Sequence, residues 1–233
     1  YVTFVDSDDA VASNYVERLI GVALSSDVTI SICDLVHCQQ LDDVQYTLSE
    51  ENIIYSPREA IEELLYQRSF LVAACGKMFH ISCFEQIRFP VGMLFEDSAI
   101  MYELFEAADK IGYQPSGLYA YVHRCDSITT RPFSRKDLDI WTICCQIEEH
   151  YESCGVPDLI DAAKAYKMSA ALRLYLNAGN DFDLSEIEAW IKQNALSVFQ
   201  NKKARRKNRI ASMLYLTCPS ALRRVYPYVN RWK

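Results

Sequence analysis

Residues 1–9 read YVTFVDSDD, five β-branched or aromatic residues followed at once by a cluster of acids. Residues of the first kind are enriched in buried strands, and the acids end that pattern abruptly. The neighbouring carboxylates of Asp6, Asp8 and Asp9 repel one another unless a cation or a helix N-terminus offsets their charge. The stretch therefore predicts a short buried strand that places three carboxylates at its end.

The acidic cluster has two interpretations at this stage. Hard oxygen ligands of this type suit Mg²⁺ or Mn²⁺. The same acids would also suit the start of the helix that follows, because acids are common in the first turn of a helix. An EF-hand loop is excluded, since Ala10 and Val11 stand where that loop needs an oxygen ligand and a glycine. The spacing alone leaves metal binding and helix capping open.

The remainder of the chain divides into a mixed α/β part and an all-helical part. Up to about residue 132, hydrophobic periodicity predicts extended segments at 28–36 and 111–122, with an irregular loop or edge hairpin at 39–56. It predicts helices that begin at about residues 14 and 57, a short helix at 77–85 and a helix at 96–108. Beyond it, helices are predicted at 134–153, 158–178, 184–199 and 203–216. We therefore predict an α/β domain at 1–132 and a helical domain at 133–233.

The charge of the chain is strongly uneven. The net charge is −7, yet the last acidic residue is Glu188, and eleven of the 24 basic residues follow it. Basic residues beside amphipathic aromatic stretches suit an anionic membrane face, but a solvated basic helix would have the same composition. Since the acidic remainder of the chain would repel phosphate, nucleic acid is not predicted as a partner.

The cysteines indicate reduced thiols. Nine cysteines occur at irregular spacing without any Cys-x-x-Cys pair, so a zinc site is not predicted. This composition, with no secretory signal in view, favours a cytoplasmic location. No run of 18 apolar residues occurs, so no membrane-spanning helix is predicted.

Three stretches, in order, resemble family 2 glycosyltransferases of bacteria with the GT-A fold. The first is the opening strand with Asp6-Ser7-Asp8-Asp9, which looks like the Asp-x-Asp motif of that family. The second contains Lys77-Met78-Phe79, then Phe84, IRFP at 87–90 and FEDS at 95–98. The third contains KIGY at 110–113, LYAY at 118–121, Arg124 and SIT at 127–129. Their order and spacing agree with the family over about residues 1–130.

The resemblance implies a partial GT-A core, Rossmann-like and lacking its first strands, followed by a helical region. It implies a hexosyltransferase-like enzyme of polysaccharide biosynthesis that moves a sugar from a UDP-sugar to a saccharide or lipid-linked saccharide, with inversion, at the inner face of the plasma membrane. Because the nucleotide-binding strands of the family have no counterpart here, we expect a chain that is truncated at its N-terminus and inactive alone. A non-catalytic saccharide- or membrane-binding module stays open as the alternative.

The resemblance also implies a role for each matched residue. Asp97 takes the position of the general base, at a predicted helix start where the helix dipole favours the carboxylate. Asp8, with Asp6, takes the position that holds Mg²⁺ or Mn²⁺. The donor-binding positions fall on Asp6, Asp8, Asp9, His123 and Arg124, and the acceptor-binding positions on Lys77 and Glu96. For His123 and Lys77, an ordinary solvated side chain is the alternative.

Overall fold

The computed structural model describes residues 1–123, 132–179 and 181–229. Within them the chain forms two compact units. The first contains residues 1–64, 69–91 and the described residues of 96–132. The second contains residues 65–68, 92–95 and the described residues from Phe133 onward.

The first unit is built on a mixed six-stranded sheet. Its strands are β1 (Val2–Thr3), β2 (Ala10–Val11), β3 (Ile30–Cys38), β4 (Ile53–Tyr55), β5 (Lys77–Phe79) and β6 (Ile111–Val122). The strand order is β1-β5-β3-β6-β2, and β4 also pairs with β6. Three helices accompany the sheet: α1 (Tyr15–Ser25), α2 (Pro57–Tyr66) and α3 (Glu96–Glu106). The predicted α/β class is therefore confirmed.

The parallel pair β3–β6 forms the centre of this sheet. Ile30 lies opposite Ile111, and the pairing continues to Cys38 opposite Val122. Ile30 and Ile111 are fully buried, as expected for parallel strands covered on both faces. Because parallel strands share an orientation, the carboxyl ends of β3 and β6 meet at one edge, where the amide of His123 donates to the carbonyl of Cys38.

The helix predicted at 77–85 is wrong. Residues Lys77–Phe79 form β5, and only Ile81–Phe84 turns as a 3₁₀ helix. Antiparallel pairing of β5 with β1 on one side and with β3 on the other overrides the local helical pattern. Gly76 leads into this strand with a φ of +70°, and a Cβ there would lie 2.7 Å from Leu35 Cδ2, so only glycine fits.

The second unit is helical. Its helices are α4 (Asp139–Cys154), α5 (Pro157–Asn177), α6 (Ser185–Gln200), α7 (Arg206–Thr217) and α8 (Pro219–Val229), preceded by a 3₁₀ turn at Arg135–Leu138. The predicted helical region is thus present, and α8 adds a helix that the periodicity did not indicate. None of the described helices combines the length and the apolar character needed to cross a membrane.

Candidate active site

The acidic residues lie in a tight turn between two short strands of the first unit. The turn is closed by the amide of Asp9, which donates to the carbonyl of Asp6 at 3.1 Å. β2 follows directly and pairs with β6, with Ala10 opposite Ala120. The sheet therefore holds the turn beside the end of β6.

Both carboxylate oxygens of Asp9 accept hydrogen bonds from residues of β6. The amide of Val122 donates to Oδ1 at 2.8 Å, and the phenol of Tyr119 donates to Oδ2 at 2.7 Å. The same phenol oxygen accepts a bond from the amide of Asp6 at 3.0 Å. Asp6 is exposed and Asp8 is half-buried. The three acids therefore differ: Asp9 anchors the turn, while the Asp6 side chain is exposed with its carboxyl partly withdrawn from water.

Asp97 lies in the first turn of α3, where the helix dipole stabilises a carboxylate. Its Oδ2 accepts a hydrogen bond from the amide of Ala74 at 3.0 Å. Burial raises the pKa of this carboxyl, and the charges of Glu96 and Asp6 raise it further. The Ala74 hydrogen bond and the charge of Lys77 oppose the rise. On balance the pKa of this carboxyl is raised above its ordinary value.

The structure brings the acidic turn and the N-terminus of α3 together. The pKa of Asp6 is raised by burial first, and then by the charges of Asp9, Asp8 and Glu96. The charge of Asp6 in turn raises the pKa of Asp97, as a smaller contribution after burial. The geometry agrees, because Phe4, two residues before Asp6, forms a parallel bridge with Cys75, and the amide of the adjacent Ala74 donates to Asp97. The two segments, which are about 90 residues apart in the sequence, therefore lie near each other in the first unit.

Lys77 occupies a different place from the one that the resemblance implies. Its side chain is buried, and its ammonium donates to the carbonyls of Leu71 at 2.7 Å and Ala73 at 2.5 Å. Burial lowers its pKa to about 8, although the charges of Cys75 and Asp97 act in the opposite direction. The prediction that Lys77 contacts the acceptor is therefore not supported, because both hydrogen bonds of the buried amine go to the protein's own backbone.

A group of three rings lies at the carboxyl ends of β3 and β6. Nδ1 of His37 and Nε2 of His123 are 3.0 Å apart, and the two rings are stacked. The Tyr121 ring contacts both imidazoles edge-on. The pKa of Tyr121 is raised by burial first and then by nearby charges that include Asp9, Asp6 and Asp8. His123 follows Val122, whose amide donates to Asp9, so it lies near the acidic turn, and it is paired with a histidine that the sequence did not single out.

Glu96 and Arg124 are the remaining residues that were predicted for the site. Glu96 is exposed in the first turn of α3. Arg124 lies outside the described residues, as does the SIT stretch at 127–129.

Cys75 is buried beside the site, and burial raises the pKa of its thiol to about 12, so it is not a nucleophile at neutral pH. Tyr119 was missed as a site residue, although it lies in the matched LYAY stretch.

The acidic turn suits a hard divalent cation that is also held by its substrate. Among the described residues, no group of three or more His, Cys, Asp or Glu side chains is placed to hold a metal ion. Mg²⁺ needs no such cage, since it commonly binds one or two carboxylates together with substrate phosphates. Burial is the largest cause of the raised pKa of Asp6, and the charges of Asp9 and Asp8 raise it further; a bound cation would offset those charges.

The chain is similar in sequence to two curated glycosyltransferases. No family model matches the chain. Glycosyltransferase GlyA of Streptococcus pneumoniae serotype 4 is 32% identical over 139 residues, which are 55% of this chain and 20% of GlyA. Glycosyltransferase GlyG of the same organism is 26% identical over 141 residues, which are 57% of this chain and 47% of GlyG. The chain thus spans a fifth to about half of these curated relatives.

One solved structure extends the likeness over nearly the whole chain. TarS 1–349 of S. aureus, in complex with UDP-GlcNAc, matches with a TM-score of 0.55 and 13% identity, over 98% of this chain and 67% of that chain. At this identity the match shows the fold alone. Together, the comparisons show a chain that is similar in sequence to glycosyltransferases and that shares its α/β fold with a protein solved with a nucleotide sugar.

Proposed function

We propose that this chain carries the acidic site of an inverting glycosyltransferase that uses a nucleotide-sugar donor. The observation that supports the proposal is the proximity of two acidic segments in the first unit: the Asp6–Asp9 turn follows Phe4, which is bridged to Cys75, and Asp97 at the start of α3 accepts a hydrogen bond from the adjacent Ala74. The similarity to GlyA and GlyG, and a fold shared with a UDP-GlcNAc complex, favour a UDP-sugar as donor.

Asp8 and Asp6 would hold the cation, Mg²⁺ or Mn²⁺, whose chemistry is to neutralise charge on a diphosphate leaving group. Asp9 does not need to touch the donor for this purpose. Its two hydrogen bonds to β6 fix the backbone of the turn and so orient the neighbouring carboxylates. The His37–His123 pair lies beside the turn; one N–H is used between the two neutral rings, and the other can donate a hydrogen bond to a phosphate oxygen. Arg124 follows it in the sequence, and we retain it as a donor-binding residue.

Asp97 is the proposed general base. It would take the proton of an acceptor hydroxyl as that oxygen forms a bond to the anomeric carbon. The bond between the anomeric carbon and the phosphate oxygen breaks at the same time, and the nucleoside diphosphate leaves with the electron pair. Because the oxygen attacks from the side opposite the leaving group, the configuration is inverted. Glu96, exposed one residue earlier, would accept a hydrogen bond from the acceptor saccharide.

Lys77 is a positioning residue in this scheme. Its ammonium fixes the carbonyls of Leu71 and Ala73, and the next amide, that of Ala74, donates to Asp97. The buried positive charge also lowers the pKa of Asp97 and so favours its basic form.

The free cysteines support a proposal for the cellular compartment in which the protein acts. All eight cysteines within the described residues are free, and several are buried in hydrophobic surroundings. Free thiols persist in reducing compartments, which favours the cytoplasm as the site of the reaction.

The test is a screen of nucleotide sugars and saccharide acceptors on the full-length protein with Mn²⁺ or Mg²⁺, with products identified by mass spectrometry. Turnover that is lost in both Asp8→Asn and Asp97→Asn supports the proposal. The matched control is Asp42→Asn, which removes an exposed acid from the Leu41–Asp43 turn. Turnover that persists in the two site variants would overturn the proposed roles.

A further inference from the structure

The backbone adopts a strained conformation at Phe95, the residue directly before α3. Phe95 has a φ of +63°, in the left-handed region that a bulky side chain rarely adopts. At Gly76 and Gly92 the chain has similar angles, +70° and +80°, but with glycine, for which they carry no steric penalty. A phenylalanine persists in this conformation only when its surroundings hold it there. The contacts of the Phe95 side chain should therefore account for the conformation.

The Phe95 ring lies under the guanidinium of Arg173. Cζ of Arg173 is 4.5 Å from the ring centre, within the range of a cation–π contact. Both side chains are half-buried, so this contact is stronger than one at a fully exposed site. Arg173 belongs to α5, and its neighbours Leu172 and Leu174 are buried in the second unit. A well-packed helix thus carries the cation that holds the ring.

A second contact fixes the residue before Phe95. The amide of Leu94 donates to Oδ2 of Asp139 at 2.9 Å, and Asp139 is the first residue of α4. These two residues, Phe95 and Arg173 all belong to the second unit. The end of the segment 92–95 is therefore attached to two helices of that unit, through its backbone at Leu94 and through its side chain at Phe95.

The attachment of Phe95 bears on Asp97, which follows two residues later. Rotation about the backbone of Phe95 changes the direction in which Glu96 and Asp97 continue, and so moves the Asp97 carboxylate. That carboxylate accepts the amide of Ala74 at 3.0 Å, a bond that requires the first turn of α3 to stay in place. Because a displacement of about 1 Å can reduce a rate about 100-fold, a fixed start to this helix matters for a general base.

We propose that Arg173 is a positioning residue for Asp97 and that it acts through the ring of Phe95. The proposal rests on the proposed function in assigning Asp97 as the base. It gives the helical unit a part in the reaction through a residue that need not touch either substrate.

The test begins with turnover of the full-length protein. Arg173→Met removes the cation but keeps most of the side-chain length, and Phe95→Leu removes the ring face. Each should lower kcat about tenfold, the loss expected for a half-buried cation–π contact, and leave the KM of the donor unchanged. Arg173→Lys keeps a cation for the ring and should restore most of kcat. The double variant Arg173→Met, Phe95→Leu should lose no more than the single variants, because all of them remove the same contact.

Hydrogen exchange at the amide of Ala74 reports on the position of Asp97 without turnover. This amide should lose protection in Arg173→Met and in Phe95→Leu, since it exchanges faster when Asp97 no longer accepts its hydrogen bond. The matched control is Arg223→Met, which removes a guanidinium 4.6 Å from the ring centre of Tyr175 in the same unit. It should change neither kcat nor the protection of Ala74.

Unchanged protection of Ala74 in Arg173→Met overturns the proposal, as do equal losses in Arg223→Met or losses that multiply in the double variant. If the wild type turns over no nucleotide sugar, the glycosyltransferase assignment fails, and the protection of Ala74 still decides whether Arg173 positions Asp97.

Discussion

The phenol of Tyr119 donates a 2.7 Å hydrogen bond to Oδ2 of Asp9, across 110 residues of sequence. The phenol oxygen also accepts a bond from the amide of Asp6, so one side chain of β6 holds both ends of the acidic turn. Burial raises the pKa of Tyr119, and its hydrogen bond to Asp9 acts in the same direction, so the phenol stays protonated and able to donate. The geometry of the proposed metal site therefore depends on a residue that need not touch the metal.

Tyr119→Phe should loosen this turn while leaving the sheet intact. The change removes one donor and one acceptor, and it leaves polar groups of Asp9 and Asp6 without their partner. We expect a loss of about 1–3 kcal/mol in the free energy of unfolding. We also expect weaker activation by Mn²⁺, measured as a higher metal concentration at half-maximal turnover. Tyr121→Phe is the matched control, and an equal effect there would contradict the special role of Tyr119.

Asp97→Asn should reduce turnover by about 10²–10⁴-fold, the usual contribution of a general base. The amide oxygen of asparagine can still accept the hydrogen bond of Ala74, so the fold should be retained. Donor binding, measured by calorimetry with a UDP-sugar and Mn²⁺, should change little. Asp42→Asn, which neutralises an exposed acid outside the site, serves as control. Comparable losses of turnover in the two variants would argue against Asp97 as the base.

Lys77→Met should shift the pH dependence of turnover. Burial places the pKa of Asp97 above its ordinary value, and the positive charge of Lys77 lowers it. Without that charge the pKa of Asp97 rises further, so the acidic limb of the kcat profile should move to higher pH. A loss of turnover by the same factor at every pH would instead indicate a purely structural role for Lys77.

The burial of Lys77 also predicts how the stability of the protein depends on pH. Burial lowers the pKa of Lys77 to about 8 in the folded protein, whereas an unfolded lysine keeps a pKa near 10.4. Between these values the unfolded chain binds more protons, so this group makes folding more favourable as the pH rises from about 8 to 10.5. Urea titrations should show that the stability of the wild type rises relative to that of Lys77→Met over this range. A constant difference would contradict the burial of a titrating amine.

The local features of this site were predictable from the sequence. The β-branched and aromatic run at residues 1–5 indicated a strand with the carboxylates of Asp6, Asp8 and Asp9 at its end, although the strand itself is only Val2–Thr3. Asp97 was expected at a helix start, and α3 begins at Glu96. Both predictions depend on neighbouring residues, which a sequence displays directly.

The features that the sequence did not predict depend on long-range pairing. Lys77 lies on a strand because β1 and β3 pair with it from both sides, and this pairing buries a residue that looks solvated in the sequence. His37 meets His123 across 86 positions, since β3 and β6 end at the same edge of the sheet. No local pattern distinguishes either residue, so their environments emerge only when the sheet is assembled.

A buried ion pair in the second unit provides a test of stability that is independent of catalysis. Nζ of Lys167 lies 2.6 Å from Oε2 of Glu148 and within 5 Å of the ring centres of Trp141 and Trp190. The indole of Trp190 also donates to Glu148 Oε2 at 3.2 Å. Lys167→Met should lower the free energy of unfolding by about 3 kcal/mol, because it leaves a buried carboxylate without its main partner.

The double variant Lys167→Met, Glu148→Leu distinguishes a lost ion pair from lost packing. Replacing both partners by apolar residues of similar size removes the buried charge together with its counter-ion. It should therefore cost less than the two single changes added together. The loss from Lys167→Met alone should lie at the low end of the range for buried pairs, since Lys164 remains 4.0 Å from Glu148 Oε1. Strictly additive losses in urea titrations would show that Lys167 acts through its contacts with the two indole rings, and that its charge pairing with Glu148 contributes little.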